Sequence, residues 1–234
     1  KLYRASETQV IPDDELEQAQ AIMTPEQYEQ EFECSFTAAV SGSYYGRLIT
    51  KADNENRIGV VPVDSHVGVE TWWDLGIGDS TAIWFIQRVG NEIHAVDYYE
   101  TSGESLAHYA DVLEERGYAY SRHVAPHDIQ ARELGTGKSR LEVSNELGID
   151  FEVAPKLEVD HGIESVRNYL PHCYFDREKC KVGLDALRQY RKQWDDKNQV
   201  FKNKPLHDWC SHAADAFRYG CVHDPIDTSE WNKP

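Results

Sequence analysis

Hydrophobic and polar positions change their period twice along this chain, and the changes mark its elements. Asp13-Asp14-Glu15-Leu16 followed by E-Q-A-Q-A-I-M reads as a helix with an aspartate N-cap. Thr24 as N-cap and Pro25 at the first helical position start a second helix, whose face carries Tyr28, Phe32 and Phe36. Residues 41–47 (S-G-S-Y-Y-G-R) read as a turn or loop, and residues 52–57 as a polar, exposed loop. From Val67 the alternation is that of a sheet: G-V-E-T-W-W-D, T-A-I-W-F-I-Q-R-V and E-I-H-A-V-D-Y-Y-E are three strands, with Gly90-Asn91 turning the last two into a hairpin. Leu106, Tyr109, Ala110 and Leu113 give residues 104–117 a helical face, ended by Gly117. A fourth strand over 121–125, a short helix over 141–147 closed by Gly148, and a fifth strand over 151–154 follow. Three helices near 160–170, 179–193 and 207–221 complete the pattern, with a Val200-Phe201 strand before the last. Three meandering strands, then alternating helix and strand, predict a mixed α/β sheet with helices on both faces.

Three aspartates sit at the ends of these predicted core segments. Asp74 closes V-E-T-W-W-D, Asp128 follows H-V-A-P-H, and Asp215 lies in S-H-A-A-D-A-F-R-Y on the last helix. A charge at the end of a buried strand costs desolvation energy unless it is paired or meets a cation. Three carboxylates brought together repel one another, and a divalent metal is the usual resolution. Taken singly, each residue has a duller reading. Asp74 could simply end a strand, His212 could be a satisfied core histidine, and Asp208 could be a helix N-cap.

Composition removes several classes. With 40% hydrophobic residues and 11% aromatics the chain can bury a full core. No apolar run is long enough to span a membrane, and the opening K-L-Y-R-A-S-E has no signal-peptide core. The missing initiator Met suggests a fragment of something longer. Cys34, Cys173, Cys180, Cys210 and Cys221 are scattered and odd in number, which reads as reduced thiols in a cytosolic protein. A net charge of −17 opposes bulk electrostatic binding of nucleic acid, but residues 177–204 carry nine basic residues against four acids, a local +5. That stretch is either a solvated face or a surface that tracks phosphates, with Arg188, Arg191 and Lys192 as its candidate DNA contacts.

The words W-D-L-G-x-G-D-S-T-A-I, A-P-H-D and H-D-W-x-S-H-A-A-D-A-F-R-Y, in this order, resemble the C-terminal nuclease domain of the large terminase subunit of tailed bacteriophages. Upstream, Y-E-Q-E-F-E-C-S-F resembles the segment that joins that family's ATPase domain to its nuclease. The resemblance implies a ribonuclease H-like fold over residues 66–224. It makes 1–65 an extension following an absent ATPase domain, and 225–234 a tail. It implies a divalent-metal-dependent endonuclease that cuts concatemeric double-stranded DNA during packaging, with no ATPase activity in this fragment. Asp74, Asp128 and Asp215 would be catalytic and would ligate Mg²⁺ or Mn²⁺. His212 would complete the ligand set, with Asp79 and Asp208 as less central members. Residues three apart on a helix share a face, so His212 and Asp215 can address one cation. Two ions roughly 3.5–4 Å apart would activate water and stabilise the leaving 3′-oxygen. Partners by resemblance are DNA, the ATPase domain of the same polypeptide, the small subunit and the portal, in the cytoplasm of an infected host. The competing reading is a non-catalytic ribonuclease H-like module that binds DNA or a protein.

Three other features are expected to carry no chemistry. His207, Cys210 and His212 match no standard zinc spacing. Gly135-Thr136-Gly137-Lys138-Ser139 looks like a phosphate loop, but Arg132 stands where that pattern needs glycine. Trp72-Trp73 and Tyr44-Tyr45 read as packing rather than base-stacking platforms.

Overall fold

The computed structural model describes residues 41–76, 79–132 and 137–225, together with Pro12, Glu15 and Leu16. The two helices expected over 13–36 and the tail over 225–234 otherwise lie outside the described residues. In chain order the elements are α1 (Gly46–Asn54), β1 (Ile58–Gly59), β2 (Val69–Asp74), β3 (Ser80–Val89), β4 (Glu92–Ser102), α2 (Leu106–Arg116) and β5 (Tyr120–Ala125). There follow α3 (Arg140–Glu146), β6 (Phe151–Val153), α4 (Val159–Tyr169), β7 (Cys173–Asp176), α5 (Lys181–Gln189), β8 (Lys192–Asp195), β9 (Val200–Pro205) and α6 (Ser211–His223).

Seven strands form one sheet in the order β1-β7-β4-β3-β2-β5-β6. β2, β3 and β4 pair antiparallel, and β5 and β6 add to β2 in parallel. These are the three antiparallel strands followed by parallel ones expected from the sequence. β7 and β1 extend it in parallel beyond β4, while β8 and β9 form a separate two-stranded ribbon. One face packs under α1, α4, α5 and α6 around Trp72, Trp84, Phe175 and Phe217. The opposite face packs under α2 and α3 around Trp73, Phe85 and Tyr109. Adjacent Trp72 and Trp73 therefore fill two different cores, as alternation along a strand requires.

Local chemistry accounts for most boundaries. Gly90 takes the left-handed conformation in the hairpin turn (φ +60°), and Gly117 does so after α2 (φ +62°). Ser139 caps α3 in a reciprocal box: its hydroxyl accepts the Glu142 N–H at 3.1 Å, and its own N–H donates to the Glu142 carboxylate at 2.7 Å. Lys138 pairs with Glu146 at 2.5 Å. The described end of the apparent phosphate loop is thus spent on starting a helix.

Two stretches depart from the sequence reading. The turn expected over 41–47 holds through 41–45 and then enters the helix α1 at Gly46, and the exposed loop expected over 52–57 is the end of α1 and its exit. Ile49 and Ala52 are buried, and the Arg57 guanidinium donates to the Leu170 and Cys173 carbonyls at 2.9 and 2.7 Å. An apolar face of two residues, three apart, is too short to register as periodicity in so polar a segment. The helix expected over 179–193 stops at Gln189, and Lys192 begins β8. Tyr190 turns the backbone there (φ −59°, ψ +114°) because its ring packs against Tyr44 and Tyr45, at centroid distances of 5.4 and 5.6 Å. β1 and β7 were not expected either: two and four residues carry too little alternation.

Candidate metal centre

Asp74 is the last residue of β2, at the edge of the face covered by α6. Two contacts set the register of that helix. The Trp84 indole donates to the Ala213 carbonyl at 2.9 Å, and Gly220 lies so close to Trp72 that a Cβ there would sit 1.9 Å from the indole. His212, on the first turn of α6, is thereby laid over the end of β2. Its Nδ1 is 3.2 Å from Asp74 Oδ2, and its Nε2 is 3.8 Å from Asp79 Oδ1. Asp79 and Ser80 lie back against Gly76, where a Cβ would meet the Ser80 carbonyl at 2.6 Å. His207 reaches Asp79 from the other side at 3.7 Å.

Burial pushes the Asp74 carboxyl above its ordinary range. The His212 hydrogen bond opposes this shift and the charge of Asp215 adds to it. His212 in turn is raised, chiefly by its hydrogen bond to Asp74, against burial and with help from the charges of Asp74, Asp79 and Glu100. Desolvation governs the first shift and neighbouring carboxylates the second. Among the described residues, no Lys or Arg pairs with Asp74.

The other two predicted acids are turned aside. Asp215 Oδ1 accepts from Arg218 Nη2 at 2.9 Å and Nε at 3.2 Å. Asp128 follows β5 on a single 3-10 turn, and its exposed carboxylate lies 3.8 Å from Arg140. Arg140 also donates to the Leu75 carbonyl at 2.8 Å, tying the Asp128 turn to the loop after β2. Asp208 serves local structure: its carboxylate accepts the Cys210 N–H at 3.0 Å and lies 3.6 Å from Arg191. Cys210 is fully buried and its thiol is pushed up to about 12 by burial. Among the described residues no three His, Cys, Asp or Glu side chains converge closely enough to hold one ion. The donor chemistry nevertheless fits a hard divalent cation: carboxylate oxygens, one imidazole, and a partly buried carboxylate that, among the described residues, pairs with no Lys or Arg.

The basic candidates serve the fold more than the surface. Arg188 has 11% of its side chain exposed and is held by Asp53 at 3.2 Å and Asp185 at 3.4 Å. Lys192 lies over the Tyr44 ring at 6.0 Å. Lys197 and Lys204 on the β8–β9 ribbon are exposed.

Sequence reasoning missed Glu100, which lies within electrostatic reach of His212, and the arginines that hold Asp128 and Asp215. The pattern D-x-x-R on α6 was a usable signal, because positions 215 and 218 share a helical face.

No protein-family model and no curated protein matches the chain. Solved structures do. The large terminase from a thermophilic bacteriophage, in complex with ATP-gamma-S, superposes with a TM-score of 0.61 at 16% identity, over 94% of this chain and 54% of that one. The P22 large terminase nuclease domain gives 0.55 at 17% identity, over 72% and 88%. The large terminase nuclease domain from bacteriophage SPP1 with bound Mn gives 0.50 at 22%, over 65% and 84%. The chain spans from 41% to 54% of the thermophilic phage's large terminase, depending on the crystal structure compared. Its fold is that of the large terminase nuclease domains.

Proposed function

We propose that this chain is the nuclease part of a viral DNA-packaging motor, a divalent-metal-dependent endodeoxyribonuclease that cuts concatemeric double-stranded DNA. The observation that carries the reading is Asp74: a partly buried carboxylate at a strand end, 3.2 Å from an imidazole and, among the described residues, in no ion pair with a Lys or Arg. Asp74, Asp128, His212 and Asp215 would hold the metal, Mg²⁺ or Mn²⁺, in two positions, with Asp79 closing the site from its loop. Cations bound there would activate a water and stabilise the leaving 3′-oxygen of a phosphodiester. Asp74 and His212 orient each other, so neither needs to be ordered when the substrate arrives. Arg218 holds Asp215 and Arg140 lies beside Asp128, and a cation bound by these carboxylates would compete with both arginines. The partners are DNA, an ATPase domain of the same polypeptide, a small subunit and a portal, in the cytoplasm of the infected host. Of the stretch 1–65 expected to lead to that ATPase domain, α1 and β1 belong to the nuclease fold itself.

The test is thermal melting of the chain with and without Mn²⁺, beside nicking of a supercoiled plasmid. Mn²⁺ at a hundredfold excess over its Kd should stabilise the fold by about 2.7 kcal/mol. Cleavage should require the metal, and Asp74→Asn should lose both effects. A folded chain that neither gains stability from Mn²⁺ nor cuts DNA is instead a non-catalytic module of the same fold.

A further inference from the structure

The third strand brings another carboxylate to this place. Asp74, Ala82 and Glu100 lie directly opposite one another on β2, β3 and β4, so their side chains leave the sheet on one face. The row before it on that face is Trp72, Trp84 and Tyr98. Adjacent strands are about 4.8 Å apart, which puts the two acid-bearing backbones roughly 10 Å apart. Between them stands only the methyl group of Ala82. Ala82 is itself fully buried, and α6 lays His212 beside this row, against Asp74.

Glu100 is not a loose surface acid. The Tyr98 hydroxyl donates to its Oε2 at 2.5 Å, and Tyr98 is itself 7% exposed with its ring 4.7 Å from that of Trp84. Among the described residues no Lys or Arg pairs with Glu100, so its charge is answered no better than that of Asp74. The strand register that places it there is not the one the hairpin turn sets. From Val89↔Glu92 to Ile86↔Ala95 the strands pair in step, and then Phe85 pairs with Asp97, leaving Val96 as an extra residue. Without that bulge Tyr99 would stand opposite Ala82, and Glu100 would point to the other face.

We propose that Glu100 is a further cation-binding residue of this centre, facing the metal from β4 and held ready by Tyr98. The inference rests on the metal reading above and adds a ligand to it. Its consequence is that the site draws on β2, β4, α6, the loop after β2 and the turn after β5, and that the β4 bulge is part of its construction.

The experiment is calorimetric titration of the folded, metal-free chain with Mn²⁺ alone, which needs no DNA cleavage. Glu100→Gln keeps an acceptor for Tyr98 and should weaken Mn²⁺ by about tenfold, the usual cost of losing one supporting group at a metal site. Glu100→Asp keeps the charge but withdraws it, and should also weaken binding; it decides the matter if Glu100→Gln does not fold. Glu104→Gln removes a charge just beyond the end of the same strand and should change Mn²⁺ affinity by less than about twofold, as expected of a screened surface charge. Wild-type affinity in both Glu100 variants, with loss in Asp74→Asn, overturns the role of Glu100 and leaves the centre standing. Equal weakening by Glu104→Gln also overturns it, since the effect would then be general electrostatics. Absence of Mn²⁺ binding by the wild-type chain overturns the centre and this inference together.

Discussion

The two ends of β2 treat an acid set against the core in opposite ways. Glu70, Trp72 and Asp74 alternate onto one face of the same strand, and each acid flanks the same indole. At the first end Glu70 accepts from Arg88 at 2.8 Å, from Arg122 at 2.9 Å and from the Trp72 indole at 3.2 Å. Asp224, just past α6, takes a second bond from Arg122 at 2.9 Å, and its carbonyl accepts the Tyr169 hydroxyl. β2, β3, β5, α4 and the end of α6 are thereby tied together, with every carboxylate answered by a guanidinium. At the other end Asp74 has an imidazole and further acids. Charge that is paired within the fold stabilises it, whereas charge left unpaired is a standing invitation to a cation. The acids at the second end are the ones to test for chemistry.

Four changes would break or sharpen this contrast. The largest effect is expected from Asp74→Asn, which should lower metal-dependent cleavage by about two to three orders of magnitude, the size of losing one preorganised electrostatic contact to a transition state. The metal-free melting temperature should stay level or rise, because burial no longer opposes a charge. A collapse in melting temperature would make Asp74 a structural acid like Glu70.

Between the two ends, Gly220→Ala forces a methyl group into Trp72. It should cost about 3 kcal/mol of stability, as overpacking does, and lower activity through the displaced His212. Chemical denaturation measures the first effect and Mn²⁺ titration of the surviving folded fraction the second. An unchanged midpoint would show that α6 can slide, and that its register is not fixed by this contact.

Glu70→Gln should show the reverse of Asp74→Asn: a loss of about 2 kcal/mol from leaving two partly buried guanidiniums short of charge, with Mn²⁺ affinity of the folded protein unchanged. Urea denaturation and metal titration on the same sample separate the two. Lost Mn²⁺ binding with an unchanged midpoint would erase the distinction between the ends.

The smallest effect is in the acid titration. Arg122 holds the Asp224 carboxyl below its ordinary 3.8, so its pairing contributes stability at neutral pH that survives to about 4 and is lost as pH falls through the lowered value. Asp74 is raised, so its ionisation costs the metal-free fold stability at neutral pH, and the cost disappears as acid protonates it. The deficit of Asp224→Asn relative to wild type, about 0.5–1 kcal/mol for a half-exposed pair, should close only below pH 3.8. Any gain from Asp74→Asn should close at higher pH. Melting curves across a pH series, with the two differences closing in the opposite order, would reverse the assignment of the two ends.

The antiparallel meander was legible because each of its strands is long enough to show alternation and Gly90-Asn91 marks the turn. α2 and α3 were legible from their faces and terminal residues, Asp74 and Asp128 from apolar runs that end in charge, Asp215 from its place on the last helix, and His212 only through the family resemblance. The legible part is local: period, caps, turns and the order of elements all act over a few residues, where sequence neighbours are spatial neighbours. The segments at α1, β1 and β7 were not legible, because they are short and acquire their buried faces only from α5, β4 and Arg57. The same holds for pairing across the fold. Nothing within reach of Glu70 in sequence announces Arg88 or Arg122, and nothing near Asp128 announces Arg140. The face on which Glu100 emerges is decided by one extra residue in β4, and a one-residue slip reverses every side chain beyond it. The sequence alone therefore determined which acids could matter and on which elements they ride. Which of them are answered by arginine and which face each other around His212 was decided only when the bulge and the packing of α6 on Trp72 and Trp84 set distances between residues far apart in the chain.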